Sequence, residues 1–404
     1  MTDENNIPKI DEGEKKAKNN NARISVIILL VVVAVIVVAT FLIANSDAYL
    51  SSSEPTTKIN VVDIDDADDK SDDGSSSTAS KGFPVSFGNS VIESAVSANT
   101  CVFVLTHEAV TCVSNTGKIT FTYALSFSDP AIKSSSDYAI VYDRQGSGFI
   151  VFNTKGPYFE GTSDEDGKIL TADVSNDGKA IIASRRAGSA SALSVYKKGE
   201  GCIFAWACAK EHILAVDISK NDKNLVCAAI GSAGGEVYTK CYVFNIDAQE
   251  NIAELEFQSC APTDCIIESS KVHLVCTDKI SVFDYTEEEP KPITYEFDAT
   301  VIKRACDNSG NVAVITKKID SFGENELTLY NSYNKPMYSL TLSEKICDLK
   351  VNGNTVYVLT ASKLMIVNAK GQITKEIDVE SASDGLVIDS RRYYRFYLGV
   401  LYRI

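Results

Sequence analysis

The sequence predicts an all-β protein: an eight-bladed β-propeller behind a single transmembrane helix and a disordered linker. Three observations predict it. Apolar, strand-length segments recur roughly every 40 residues from residue 82 onward, four short strands to a unit. The last unit stops after its third strand, and the segment following the linker reads as the missing fourth. An uncharged run of 21 residues, 24–44, precedes all of this.

Residues 1–23 form a polar tail of mixed charge, with Lys15, Lys16, Lys18 and Arg23 close to the apolar run. Within residues 24–44 only Ser25 and Thr40 are polar. A helix rising about 1.5 Å per residue makes that run roughly 30 Å long, one bilayer core. The far flank carries Asp47 and Glu54, and the next basic residue is Lys58. This asymmetry predicts a single-pass protein of the cell membrane, with a cytoplasmic N-terminus and an extracellular C-terminal domain. A cleaved signal peptide would have a shorter apolar region and a better cleavage site than Ser46-Asp47-Ala48. Residues 45–81 are an acidic, Ser-rich linker, with serine runs at 51–53 and 75–77 around the acidic run 63–69. Such a segment buries too little apolar surface to order itself. The acidic run lacks the Gly and terminal Glu of a calcium loop and reads as a solvated spacer.

Residues 82–404 are the propeller ectodomain. Its second strands are predicted at 102–105, 139–142, 180–183, 225–228, 272–275, 312–315 and 356–359. Third strands follow in step at 149–153, 242–245, 280–284, 327–331 and 364–368. Turns such as Asn115-Thr116-Gly117-Lys118 and Asn368-Ala369-Lys370-Gly371 lead into alternating fourth strands such as 119–123. Gly supplies the positive φ that a tight hairpin needs. A helical solenoid has the wrong period, and a sandwich leaves the repeat unexplained. At the C-terminus, 385–388, 393–397 and 400–404 read as first, second and third strands. Residues 81–87 resemble the turn and fourth strand at 155–159. Joining the two ends gives eight blades and leaves no open edge; without that strand the count is seven.

The composition narrows the function. A net charge of -15 argues against nucleic acid, whose phosphates reward Lys and Arg. The 11 cysteines are scattered, with no CxxC, and the three histidines, His107, His212 and His273, stand at no zinc spacing to a Cys pair. Cys202 with Cys208, or Cys260 with Cys265, would pair if geometry allowed; the simpler reading is buried thiols acting as small hydrophobes. The Gly-rich stretch 231–235 reads as a loop between strands, since no helix follows it to make a phosphate cradle. Neither a GxSxG elbow nor an HExxH motif occurs.

The repeats resemble the quinoprotein-like (PQQ-like) and WD-like (WD40-like) propellers. The layout of basic tail, span, acidic linker and propeller is similar to a family of bacterial, mainly Gram-positive, membrane-anchored propellers of unknown function. The Trp-Asp strand ending of the WD type is missing. Trp206 is the sole tryptophan, so the tryptophan-docking pattern of quinone-dependent dehydrogenases is missing too. The resemblance therefore implies no cofactor, and it supplies no active-site residues.

The tether, the linker and the lack of a catalytic constellation favour a binding or scaffolding module at the cell envelope, with the membrane as one partner and an envelope polymer or protein as the other. The alternative is a cell-surface enzyme with its site in the central funnel. The candidate binding residues are Arg144, Arg185, Arg186, Lys279, Lys317, Lys318 and Lys363, at or just after the ends of successive second strands. If they share one rim, they would focus an anionic ligand on an otherwise acidic protein. No catalytic or metal-ligating residue is assigned.

Overall fold

The computed structural model describes residues 82–163, 167–317, 324–380, 382–390 and 392–404. The expected cytoplasmic tail, transmembrane helix and linker lie outside them, as does Lys318. Among the described residues every regular element is a strand, and no helix is long and apolar enough to cross a membrane.

The strands form eight four-stranded antiparallel sheets, which settles the blade count at eight. The inner strands of blades 1 to 4 are Ile92–Ala98, Pro130–Ser135, Ile169–Val174 and His212–Ile218. Those of blades 5 to 8 are Pro262–Glu268, Thr300–Cys306, Ile346–Asn352 and Gly385–Asp389. All seven predicted second strands and all five predicted third strands fall within or overlap observed strands.

Blade 8 is composite. Its order runs from the N-terminal strand Val85–Ser86 through Val400–Arg403 and Arg392–Tyr397 to Gly385–Asp389. Val85 pairs with Leu401 and Ser86 with Val400. Two ladder positions are a small seam, and packing reinforces it. Phe83, Val85, Tyr394, Phe396 and Leu401 join Ile92, Val102, Val104 and Val113 of blade 1 in one buried cluster. The Phe83 and Tyr394 rings lie 5.5 Å apart between centroids.

The same logic builds every junction. Second and third strands are buried on both faces, so they read as continuous apolar runs rather than alternating ones. Ile181, Leu193 and Phe204 of blade 3, for example, pack against Ile213, Leu225 and Phe244 of blade 4. Fourth strands are mostly half or fully exposed, which is why they alternate.

The Gly-rich stretch departs from expectation. Residues 231–233 continue the strand Asn224–Ala233, and Gly234 and Gly235, both at positive φ, turn it into Glu236–Asn245. Two consecutive positive-φ residues make the hairpin turn that matches strand twist, so the glycines build a projecting hairpin rather than a loop.

The closure yields the first prediction. Phe83→Ala removes a ring that is 9% exposed at the seam and should cost about 3 kcal/mol in urea unfolding followed by Trp206 fluorescence. Deleting residues 82–88 should expose the edge of Val400–Arg403 and cause aggregation or loss of a cooperative melt. Unchanged curves for both would show that this segment does not close the ring.

Candidate functional site

The inner strands pair on one edge only, and their other edge lines a central channel. Every junction around that channel carries a polar link between blades. The Ser97 hydroxyl donates to the Ile388 carbonyl at 2.9 Å, joining blades 1 and 8. Ser134 donates to the Ser97 carbonyl at 2.8 Å, joining blades 2 and 1. Lys133 of blade 2 lies 3.3 Å from Asp173 of blade 3. Asn176, in the turn after the inner strand of blade 3, donates to the Lys220 carbonyl of blade 4 at 3.4 Å.

Aspartates make the remaining links, in one recurring form. One oxygen of Asp217 accepts the following N–H, of Ile218, at 2.8 Å. Its other oxygen accepts the Ile267 N–H of blade 5, also at 2.8 Å. Asp348 accepts from Leu349 and from Leu386 of blade 8, both at 2.8 Å. Asp264 accepts from the Cys265 N–H at 2.9 Å and from the Cys306 thiol of blade 6 at 3.0 Å. Asp307 receives the Gly353 N–H of blade 7 at 2.6 Å. These carboxylates fill acceptor sites that backbone donors would otherwise leave unpaired.

Three cavities share Cys306 and Lys350 in their walls and make up the channel. The largest, about 460 Å³, is lined by Lys133, Asp173, Asp217 and Asp264, and by Asn176, Lys220 and Asn308 from turns between first and second strands. It therefore opens on the face those turns form, the upper face; the opposite face is the lower one. A second, about 350 Å³, extends it toward Ser97 and Ile388. The third, about 400 Å³, lies toward the opposite face, between Thr263, Asp264 and Val275 of blade 5, Arg304–Cys306 of blade 6 and Asp348–Lys350 of blade 7.

Charges in the upper compartment are coupled. Burial pushes the Asp217 carboxyl up to about 8, with the nearby Asp173 charge adding to the rise and the two backbone N–H donors opposing it. Burial also raises Asp173 against the pull of Lys133. For Lys133, burial alone would lower the ammonium, but Asp173 and then Asp264 outweigh it and hold the group above its ordinary range. Of these opposed directions the one on Lys133 stands. A lysine 3.3 Å from one carboxylate and near a second keeps its charge whichever carboxyl carries a proton.

The described basic residues singled out from the sequence, all but Lys318, sit at or beside the turns between second and third strands, on the face opposite the upper mouth. Arg144 pairs with Asp129 at 2.6 Å. Lys279 pairs with Glu296 at 3.2 Å. Lys363 lies 3.0 Å from Glu344 and 2.8 Å from Glu376. Arg185 and Lys317 are exposed, with no carboxylate at ion-pair distance among the described residues. Arg186 is exposed beside Arg185. None of these side chains lines the channel cavities.

The histidines do not meet. His107 is exposed 3.5 Å from Glu93, His212 begins the inner strand of blade 4, and His273 is buried in blade 5. Neither pairing that the sequence left open forms, and six of the nine free cysteines are buried, as the simpler reading expects. Cys260 bonds to Cys276, and Cys202, Cys208 and Cys265 are free. The register explains this: Pro262 faces Cys276, which brings Cys260 to a Cα–Cα distance of 6.1 Å. Cys265 lies three residues further along the strand, about 10 Å from Pro262.

Fold and channel define the class: a closed, eight-bladed propeller whose blades are linked through channel-edge aspartates and serines. The chain belongs to a family described as "Family of unknown function (DUF5711)", matched over residues 75–397. No curated protein matches the sequence. Among solved structures it is similar to the computationally designed Ika8 protein, with a TM-score of 0.59 and 14% identity over 78% of this chain and 97% of that one. It is similar to Sqt1 of Saccharomyces cerevisiae, with a TM-score of 0.56 and 10% identity over 81% and 99%. BamB from Moraxella catarrhalis gives a TM-score of 0.51 and 13% identity over 80% and 97%. At these identities the likeness is one of fold alone.

The channel gives the second prediction. Burial pushes the Asp217 carboxyl up to about 8 in the fold from an ordinary value of 3.8, so the native state holds the proton longer. Its stabilising contribution is complete below about 4 and is lost as pH rises toward 8. Wild-type Tm should therefore fall between pH 5 and pH 9. Asp217→Asn, which cannot ionise, should start lower at pH 5 and show a flatter slope. Parallel slopes would show that Asp217 ionises in the ordinary carboxylate range.

Proposed function

We propose that the chain is a membrane-tethered propeller that binds or scaffolds an anionic partner at the cell envelope. In this reading residues 24–44 cross the membrane, residues 1–23 stay in the cytoplasm, and the propeller lies outside, in an anchored family of Gram-positive type. The observation that carries the binding role is the state of the channel carboxylates. Asp217, Asp264 and Asp348 each have both oxygens occupied by donors of their own and the next blade, so they act as ties between blades. A ring tied in this way is a stiff platform, and its faces are what it offers to partners.

The lower face suits an anion. Arg185 and Lys317 are exposed there, on a protein whose net charge is -15. Isolated cations on an acidic surface attract and orient an anionic chain, with an effect that salt weakens. The Cys260–Cys276 disulfide supports an oxidising compartment outside the membrane.

The funnel-enzyme alternative rests on Asp217, whose carboxyl is poised near neutral pH. Its two backbone donors favour the structural role, because a general acid needs a free oxygen toward its substrate.

The test uses the full chain in detergent, passed over immobilised polyphosphate and polyglutamate at several salt concentrations. Arg185→Glu with Lys317→Glu should cut retention at least tenfold and leave Tm within about 2 °C. Equal retention of the double variant would remove the rim from the reading. Protease added to wall-stripped cells should release a soluble fragment beginning within residues 45–81, and protection of the whole chain would remove the topology.

A further inference from the structure

The lower compartment of the channel has an imbalance of donors and acceptors. Its two carboxylates are already served. Asp264 accepts from the Cys265 N–H and the Cys306 thiol, and Asp348 accepts from the N–H groups of Leu349 and Leu386. Its two cations are served only in part. The half-buried Arg304 guanidinium donates through Nη1 to the Cys276 carbonyl at 3.2 Å, and that is one of its five N–H groups. Among the described residues no carboxylate lies at ion-pair distance from it. Lys350 lies 3.7 Å from Asp348, beyond hydrogen-bond reach, with 45% of its side chain exposed.

The position of Arg304 is fixed from both sides. Its strand pairs Arg304 with Val314 inside blade 6. The carbonyl it holds belongs to Cys276, which is anchored by the disulfide to Cys260, while Thr277 donates to the Ala261 carbonyl at 3.1 Å. Burial lowers the guanidinium below its ordinary range, the expected mark of a cation that has lost water without gaining a full set of partners. Thr263, Val275, Ala305 and Leu349 complete the lining, with the Val275 and Leu349 side chains buried in the packed cores between blades. Its volume, about 400 Å³, is that of a small-molecule site.

We propose that this slot, between blades 5, 6 and 7, binds a small carboxylate-bearing ligand, its oxyanion held by the free edge of the Arg304 fork and by Lys350. Two parallel acceptors match a guanidinium edge, and a planar carboxylate presents such a pair. Phosphate offers the same oxyanion chemistry without the planar geometry. The slot opens toward the face that carries Arg185 and Lys317, so this site deepens the anion-binding reading: a pendant carboxylate on a partner held at the rim would end at Arg304.

The test titrates succinate and inorganic phosphate into the full chain in detergent at fixed ionic strength, reading Tm and calorimetric heat. Wild type should show a saturable Tm rise, since a ligand that binds only the folded state stabilises it. Succinate, whose planar carboxylate matches the Arg304 edge, should bind more tightly than phosphate; the reverse order would assign the slot to phosphoryl groups and overturn the carboxylate assignment. Arg304→Gln should weaken succinate at least tenfold, and Lys350→Gln about threefold. Equal binding by wild type and Arg304→Gln overturns the proposal, as does a response that never saturates. If Arg304→Gln fails to fold, Arg304→Lys and Lys350→Gln decide it, and unchanged affinity in both overturns the slot. Retention on polymer beads is a separate readout, so failure of the slot and failure of the envelope reading are told apart.

Discussion

An inner strand with one unpaired edge is the constraint on which the rest of this structure depends. A propeller brings eight such edges to its axis, and a further strand cannot be placed there to satisfy them. Asp217 and Asp348 solve the problem locally by taking one N–H from their own strand and one from the next blade. The same side chain thus caps an edge and fixes the spacing between two blades. Asp264 uses the Cys306 thiol for the second bond, and Ser97 and Ser134 reverse the polarity by donating to carbonyls. Hydrophobic packing between blades is non-directional. These links supply the direction, and they account for polar residues in strands that would otherwise be apolar throughout.

The fold was legible because its signals are local and repeated. A second strand such as Cys101–Thr106 is buried at every position, so it reads as an unbroken apolar run wherever it occurs. The closing strand was legible because blade 8 lacked a fourth strand and the residues around Val85 had nowhere else to pair. The site was less legible, because its bonds join residues about 40 positions apart. Nothing near Asp217 in the chain points to Ile267. A signal did exist: Ala172-Asp173-Val174, Val216-Asp217-Ile218 and Cys347-Asp348-Leu349 each place one carboxylate between apolar neighbours in a first strand. A charge in that setting must have a partner across the junction.

Cross-strand register also explains why basic residues that look alike in sequence differ in the fold. Lys279 faces Glu296 on the adjacent strand, and Lys363 lies between Glu344 and Glu376. The first pair stands directly opposite in the ladder, while Lys363 faces Asp378 and reaches diagonally to Glu376, a geometry that the spacing of second strands does not reveal. Arg185 lies one residue from the end of its strand and Lys317 faces Thr300, so neither stands opposite a carboxylate, and both keep their exposure. The cysteines follow the same rule. Cys260 meets Cys276 because the ladder brings Pro262 opposite Cys276, and nothing in the spacing of the cysteines along the chain points to that partner.

Rigidity and charge then meet at one place. Ties that hold the blades at fixed spacing also keep the channel from collapsing around an unmatched group. Arg304 is therefore left half-buried, with the Cys276 carbonyl as its one acceptor among the described residues and the neighbouring carboxylates committed to other donors. In a pliable protein a side-chain shift would bring Asp264 or Asp348 to it. Here such a shift would strip the Cys265 and Cys306 donors from Asp264, or the Leu349 and Leu386 donors from Asp348, and leave buried groups unpaired. The acidic balance of the chain does not neutralise this cation, because acidity acts through specific oxygens and the nearest ones are already engaged in holding the ring together.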